Sequence, residues 1–441
     1  MSFAQRWQDI RTGFERPFWV ANISEIFERL SYYAAFASLA RYLHEGLELP
    51  VESATSLAGL FGGAVWFLAI FGGTVADRMG FRRALSLAYL ILTCAYFLMG
   101  SLGAQWMAGI RHAVPIVPLA FVVLLLPAFG IALVKPCVVG TTARASKENV
   151  RSVGYSIYYT LVNIGSTAGP YVASTVRKHL AVEKTFIVSS ISVLLMFFAV
   201  LIFFKEPRRE AGQEVPSLGK VLHNFGTVLT NWRFMLFLLI FSGYWIVFWQ
   251  QYIILPIYIH DYISTTADTE LTLIADPLTV IAFTMVFSIL TQKVRAFTAV
   301  IVGTLISALA WIAVIVIPAG AMTFHLGESE IWGGAVVALI ILAIGEITQS
   351  PRYYEYISRL APPGQQGTYM GFAFLPIGIG SLIAGKFAGF LLHKYGEVQH
   401  QPKMIWWIVV AVGVGTGVLL WIYDRTILPK EVAVKAETVK A

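Results

Sequence analysis

Three ionisable side chains crowd two helical turns of an apolar stretch: Glu25, Glu28 and Arg29, inside a run from about Phe18 to Leu43 that is long enough to cross a bilayer as one helix. At helical spacing Asn22, Glu25, Glu28, Arg29, Tyr32 and Tyr33 share one broad stripe, because residues three and four apart are neighbours. Ionised groups at mid-membrane depth cost about 3 kcal/mol each, or about 9 kcal/mol for the three, so lipid cannot face that stripe. It looks into a helix bundle or a water-filled cavity, where Arg29 pairs with Glu25 and the tyrosine hydroxyls complete the hydrogen bonding. Neighbouring acids beside a fixed cation titrate as a set, which suits proton coupling. The plainer reading is a self-neutralising structural network, which Leu and Ala would build more cheaply.

Other polar groups recur at membrane depth. Lys135 lies midway along an apolar run and is followed by Pro136, whose missing N–H frees a carbonyl and bends the helix; the lysine requires a carboxylate or a mobile proton. Glu346, in a later run, best matches it in depth, and an inter-bundle Lys135–Glu346 pair that protonation breaks is the expected bistable element. Tyr159 and Asn163 share a helix with Gly165, and Asn163 either meets a substrate amide or bonds to a neighbouring helix. Trp249, Gln250 and Gln251 form part of an aromatic and amide cluster before Pro256 that either lines a cavity or packs. Asp276-Pro277 reads as a helix cap at the membrane surface. Ser350, Arg352 and Glu355 follow Glu346; Arg352 either supplies a positive charge to the cavity or is captured by Glu355 or Glu346.

The elements that must position these groups are apolar spans. The chain has 441 residues, 57% of them hydrophobic and 13% charged, with mean hydropathy +0.70, the composition of a polytopic membrane protein. Runs of spanning length fall near 18–43, 54–76, 83–103, 115–143, 153–174, 185–204, 232–258, 271–291, 296–319, 332–358, 367–392 and 404–423, about twelve in all. The net charge of +7 comes from basic residues in short loops, which fits phospholipid and not nucleic acid. With the N-terminus inside, Arg78, Arg82, Arg83, Arg144, Lys147, Arg151, Lys205, Arg208, Arg209, Lys293, Arg295 and Arg359 fall in cytoplasmic loops, whereas the opposite loops carry few. This places both termini in the cytoplasm and the chain in a plasma or bacterial inner membrane. The polar interruption at 205–231 separates a bundle at 1–204 from one at 232–425, with a cytoplasmic tail at 426–441. Cys94 and Cys137 sit in apolar runs away from other ligands, so neither a disulfide nor a metal site is indicated, and no arrangement points to catalysis or a cofactor.

Between the second and third runs, Gly73, Asp77, Arg78, Gly80, Arg82 and Arg83 resemble the cytoplasmic loop signature of the major facilitator superfamily, whose charges latch helix ends. Four further motifs resemble the proton-dependent oligopeptide transporter family of that superfamily. They are Glu25, Glu28, Arg29, Tyr32 and Tyr33; Lys135-Pro136; Tyr159, Asn163 and Gly165; and Glu346, Ser350 and Pro351. The resemblance implies an all-α membrane fold of twelve helices in two six-helix bundles. It also implies proton coupling by the first-helix acids and Glu346, pairing of Lys135 with Glu346, and peptide binding by the asparagine and tyrosines. The sequence departs from that pattern at Phe36, where a second arginine is common, at Gln250-Gln251, where a Glu usually accompanies the Gln, at Asp276 in place of Asn, and at Arg352 and Glu355. The linker leaves no room for an extra helix pair.

The expected function is therefore proton-coupled symport of short peptides or peptide-like zwitterions by alternating access, with Arg29, Tyr32, Tyr33, Lys135, Tyr159, Asn163, Trp249, Gln250, Ser350 and Arg352 contacting substrate. The expected partners are a small-molecule substrate, protons and the bilayer, and the expected functional unit is a monomer. An exporter or carrier of another small organic solute is the alternative, and a membrane enzyme or receptor a remote one. Because Phe36 removes one candidate for holding a peptide carboxylate, ordinary dipeptides are expected to be weak substrates.

Overall fold

The computed structural model describes residues 12–207, 219, 226–362 and 366–427. Most of the expected linker, and all but the first two residues of the expected tail, lie outside these. In chain order the long elements are α1 (Arg16–Arg41), α2 (Val51–Met79), α3 (Phe81–Ser101), α4 (Ile116–Arg144), α5 (Arg151–His179) and α6 (Val182–Phe203). After the linker come α7 (Trp232–Phe248), α8 (Gln250–Tyr262), the short α9 (Thr269–Thr272), α10 (Ala275–Thr291), α11 (Ala296–Ala310) and α12 (Ile312–Val316). An antiparallel hairpin of β1 (Thr323–Leu326) and β2 (Ser329–Trp332) leads to α13 (Gly333–Leu360), α14 (Gln366–Phe372), α15 (Leu375–Leu391) and α16 (Pro402–Thr426).

Ten of the described helices, counting α7–α8, α9–α10, α11–α12 and α14–α15 each as one span, are long and apolar enough to cross a membrane. The charged α1 and the glycine- and tyrosine-rich α5 complete the expected twelve, since both pack lengthwise among the others. The fold is all-α, with two sets of six helices. In the first, α1 packs on α5 and α6, α2 on α4, and α3 on α4 and α6; in the second, α13 packs on α10 and α11, and α16 on α7 and α11. Large apolar side chains such as Leu195, Phe198, Ile202, Met285, Leu290 and Leu419 point outward, as a bilayer solvent requires.

Small residues bring the halves together. A Cβ on Gly385 of α15 would lie 2.5 Å from the Thr55 carbonyl oxygen and 2.9 Å from Gly59 Cα of α2, and Ser381 Oγ donates to the Gly59 carbonyl at 3.0 Å. Backbones approach this closely only where side chains are nearly absent. This seam lies toward the end of the bundle that carries the β-hairpin. At the opposite end, where α1 starts, Gly80 adopts φ +84° and stops α2. The Glu206 carboxylate accepts from the N–H groups of Phe81 and Arg82, both at 2.8 Å, and so caps α3. Asp77 is held by Arg144 of α4 at 2.9 Å, with the guanidinium over the Phe81 ring. The charged loop motif thus ties helix ends within the first half. Arg78 and Arg83 lie beside it around a cavity of about 780 Å³, and Gly73 faces Pro136 of α4.

Candidate functional site

The charged stripe of α1 faces inward, as its composition demands. Asn22, Glu25, Glu28 and Tyr32 are almost wholly buried, and Arg29 keeps 6% of its surface. Arg29 Nε lies 2.5 Å from Glu28 Oε2 and 3.4 Å from Glu25 Oε1, so the sequential acid is the closer partner and the expected Glu25 pair the looser one. The guanidinium also rests 5.3 Å from the Tyr32 ring centroid. Asn22 donates to the Phe18 carbonyl at 2.8 Å and to Thr142 of α4 at 3.1 Å. One oxygen of each acid and Nη2 of Arg29 find no hydrogen-bond partner. Two carboxylates against one guanidinium leave this network a charge short of neutrality, with spare acceptors for a proton or a ligand.

Lys135 supplies the balancing charge from a distance. The expected Lys135–Glu346 ion pair is not formed in this structure. The Lys135 ammonium instead lies 4.4 Å from the centroid of Trp66 on α2 and 5.1 Å from that of Phe374, just before α15, while acting electrostatically on Glu25 and Glu28. The reason is packing: α4 lies along α2, so its mid-helix lysine reaches the Trp66–Phe374 stack, whose rings sit 5.5 Å apart across the two halves. Lys135 does bridge the halves, but through an aromatic cage.

Glu346 sits on the face of α13 that meets α10. Val280 of α10 packs with Ala343 and Ile347 of α13, which brings Asp276, one turn before Val280, toward Glu346. Asp276 is 5% exposed and one of its oxygens has no partner. The expectation of a membrane-surface cap is therefore corrected: α9 and the turn after it carry the chain inward before α10 begins, so Asp276 is interior. Tyr33 of α1 and Tyr159 of α5 reach toward these acids from the first half, and Tyr252 of α8 from the second. Asn163 donates to the Tyr159 carbonyl at 2.8 Å. Tyr33 thus interacts with the α1 network on one side and with Asp276 and Glu346 on the other.

An aromatic cluster occupies the position where a second arginine was sought. Phe36 stacks on Tyr252 at 4.8 Å and touches Phe61 and Trp249. Trp249 donates through Nε1 to the Ile377 carbonyl at 3.2 Å. Gln250 is fully buried and donates to the Ile246 carbonyl of α7 at 2.7 Å, while neither polar atom of Gln251 is satisfied. Ser350 accepts from Gln349 at 2.8 Å. Arg352 is turned away from Glu346: it donates to Glu355 and to the Val294 carbonyl, and Glu355 also holds Arg359. A side chain six residues past Glu346 reaches the α10–α11 turn, so the capture alternative holds, with Glu355 as the partner.

Sequence reading missed one feature altogether. Lys178, near the end of α5, lies 2.7 Å from Asp268 Oδ2, and Arg177 lies 3.0 Å from Glu270 Oε2 and 3.6 Å from Asp268 Oδ1. Asp268 also accepts from Ser174 at 2.5 Å, from Ser329 of β2 at 3.0 Å and from the Leu271 N–H at 2.9 Å. Burial alone would raise the Asp268 carboxyl, but hydrogen bonds from Lys178, Ser174 and Leu271 hold it below the usual carboxylate range. Arg41 of α1 adds a 3.2 Å bond to Thr269, and Glu45 lies 3.4 Å from His260 at the end of α8. These contacts join first-half helices to second-half segments, and they all lie at the hairpin end. Ion pairs seen at the other end, such as Asp77–Arg144 and Arg295–Asp424, join helices of the same half. The two halves are clasped at one end by charge.

Comparison with known proteins fits this architecture. The profile of the Major Facilitator Superfamily matches residues 21–375 and, in a second overlapping match, 243–440. The chain belongs to that superfamily. Among its relatives, the superfamily member is 28% identical over 221 residues to the Di-/tripeptide transporter of Lactococcus lactis subsp. lactis, covering 47% of this chain and 42% of that protein. It is 21% identical over 354 residues to the Multidrug resistance protein MdtH of Cronobacter sakazakii, covering 80% of this chain and 81% of the other. The chain thus matches less than half of the first relative's length. A solved POT family transporter in complex with 5-aminolevulinic acid superimposes with TM-score 0.73 and 17% identity, covering 94% of this chain and 97% of that one. That likeness is one of fold.

Proposed function

We propose that this major facilitator protein is a proton-coupled secondary transporter of short peptides or peptide-like zwitterions, a divergent member of the proton-dependent oligopeptide transporter family that works by alternating access. The observation that carries the reading is a set of inward-facing charged groups spread over both halves. The Glu25–Glu28–Arg29 network stands on α1 with unsatisfied polar atoms, Lys135 lies in an aromatic cage built by both halves, and Glu346 stands on α13 where it meets α10. A zwitterion presents both signs of charge, and both signs are present among these groups. Similarity to the Lactococcus peptide transporter, and a fold shared with a POT family transporter, support the same assignment.

In this reading Glu25, Glu28 and Glu346 carry protons, with Arg29 setting the charge of the first pair. Tyr32, Tyr33, Tyr159, Asn163, Trp249, Gln250 and Ser350 shape the site. Arg29 is committed to two acids and Arg352 to Glu355, so Lys135 is the cation left to meet a substrate carboxylate. A lysine is a point charge without the two-pronged geometry of arginine, which favours weak binding of ordinary dipeptides. We place the bundle boundaries at 1–204 and 232–425, both termini and the basic loops on the cytoplasmic side of a cell membrane, and a monomer as the functional unit. The hairpin end then faces outward, and its charged clasp makes this the outward-closed state.

Export is the second reading, because the MdtH match spans more of the chain than the peptide-transporter match does. Purified protein in liposomes separates the two. Counterflow of radiolabelled dialanine, or of another zwitterion found by competition, supports the carrier reading. Proton-driven extrusion of lipophilic cations with no zwitterion counterflow refutes it.

A further inference from the structure

The second half holds an acid that the proton-coupling reading does not require. Asp276 is nearly inaccessible, sits in the first turn of α10, and directs an unpartnered oxygen into the interior. Across the α10–α13 contact stands Glu346, on the helical turn between Ala343 and Ile347, which pack against Val280. No described lysine or arginine forms an ion pair with either carboxylate. The groups that interact with them from the neighbouring helices are neutral: Gln251 of α8 with Asp276, Tyr33 of α1, Tyr159 of α5, Tyr244 of α7, Tyr252 of α8 and Tyr354 of α13. Phenols ionise near pH 10 in water and stay neutral in such surroundings, so they balance no negative charge at physiological pH.

We infer that Asp276 and Glu346 form a two-carboxylate proton-binding site of the second half, in which one proton is held between the two acids. Two ionised carboxylates on packed helices, with no described lysine or arginine paired to either, repel; one proton removes that repulsion and supplies a donor to the other acid or to Gln251. The site is distinct from the α1 network. There two acids share Arg29 as their close partner, with Lys135 acting on Glu25 from further away. Here the proton is the available counter-charge. The second pair exchanges this proton, or accepts a substrate ammonium in its place.

The inference rests on the transporter reading for its consequence but not for its test, which uses no substrate. Infrared difference spectroscopy on the purified full chain in lipid, titrated across neutral pH in H2O and D2O, follows the carbonyl band of protonated buried carboxyls. Asp276→Asn and Glu346→Gln should each remove a component of that band. In each variant the two-step loss of the pair's signal should collapse to one step, while the Glu25 and Glu28 contribution stays. If both variants leave the band and its titration unchanged, the two acids share no proton and the inference falls. Comparing two conservative variants, each checked by size-exclusion elution and helical circular dichroism, guards against misfolding of either one. Failure of peptide transport would leave this result intact.

Discussion

Replacing Asp268 with Asn should shift the protein toward a state open at the hairpin end. The carboxylate holds Lys178 at 2.7 Å, Arg177 at 3.6 Å, and the hydroxyls of Ser174 and Ser329 at 2.5 and 3.0 Å. Losing one partner of a fully buried pair costs about 3–5 kcal/mol. Here Lys178 and Arg177 keep 27% and 24% of their side-chain surface and can rehydrate, and Glu270 still holds Arg177, so the expected loss is about 1–2 kcal/mol. At about 1.4 kcal/mol per factor of ten, the open population should rise by roughly 5- to 30-fold. Spin labels on Leu180 of the first half and Val398 of the second, both well exposed, report the opening by pulsed dipolar spectroscopy. The pH dependence follows from the same carboxyl. Because it sits below its usual range when clasped, its contribution is complete above about pH 4 and is lost only as pH falls through the depressed value. The wild type should therefore open at the hairpin end in strong acid, and the Asn variant should lack that component. An unchanged distance distribution in folded Asp268→Asn protein would show that the clasp does not hold the halves.

Other substitutions probe the α1 network, the aromatic cage and the seam between the halves. Glu28→Gln removes one acid from the Arg29 network and should abolish gradient-driven uptake while leaving exchange measurable in the same liposomes. Trp66→Ala opens the cage around Lys135; a cation–π contact of about 1–2 kcal/mol predicts roughly a tenfold fall in transport rate, with the protein still folded by circular dichroism. Gly385→Val inserts side-chain atoms where the Thr55 carbonyl and Gly59 already stand within 3 Å of an added Cβ; the same spin-label pair should report a hairpin end that no longer closes, with transport lost.

The sequence made the spans and the charged stripe legible for the same reason: both are extreme against a bilayer. A glutamate pair and an arginine in an apolar run have one kind of tolerable environment, and Glu25, Glu28 and Arg29 occupy it. Partner choice was less legible, because it depends on how helices distant in sequence pack. Lys135 and Glu346 match in depth, yet the lysine meets the second half at Phe374, in the stack with Trp66, and not at Glu346. Asp276 reads as a cap from its place before a proline; only the break after α9 carries it inside. The clasp escaped notice because Arg177, Lys178, Asp268 and Glu270 look like ordinary loop charges. Their signal was complementary sign at the same membrane face of the two halves, with Asp268 also placed to cap Thr269-Glu270-Leu271.

Proton-driven uptake tests the central claim most directly. Purified protein in liposomes buffered near neutral pH, diluted into acidic medium with radiolabelled dialanine and competing zwitterions, should accumulate a zwitterion above its external concentration. A protonophore should collapse that accumulation, and Glu28→Gln should lack it. Accumulation that is indifferent to the proton gradient, or transport of none of these zwitterions by folded protein, would contradict it.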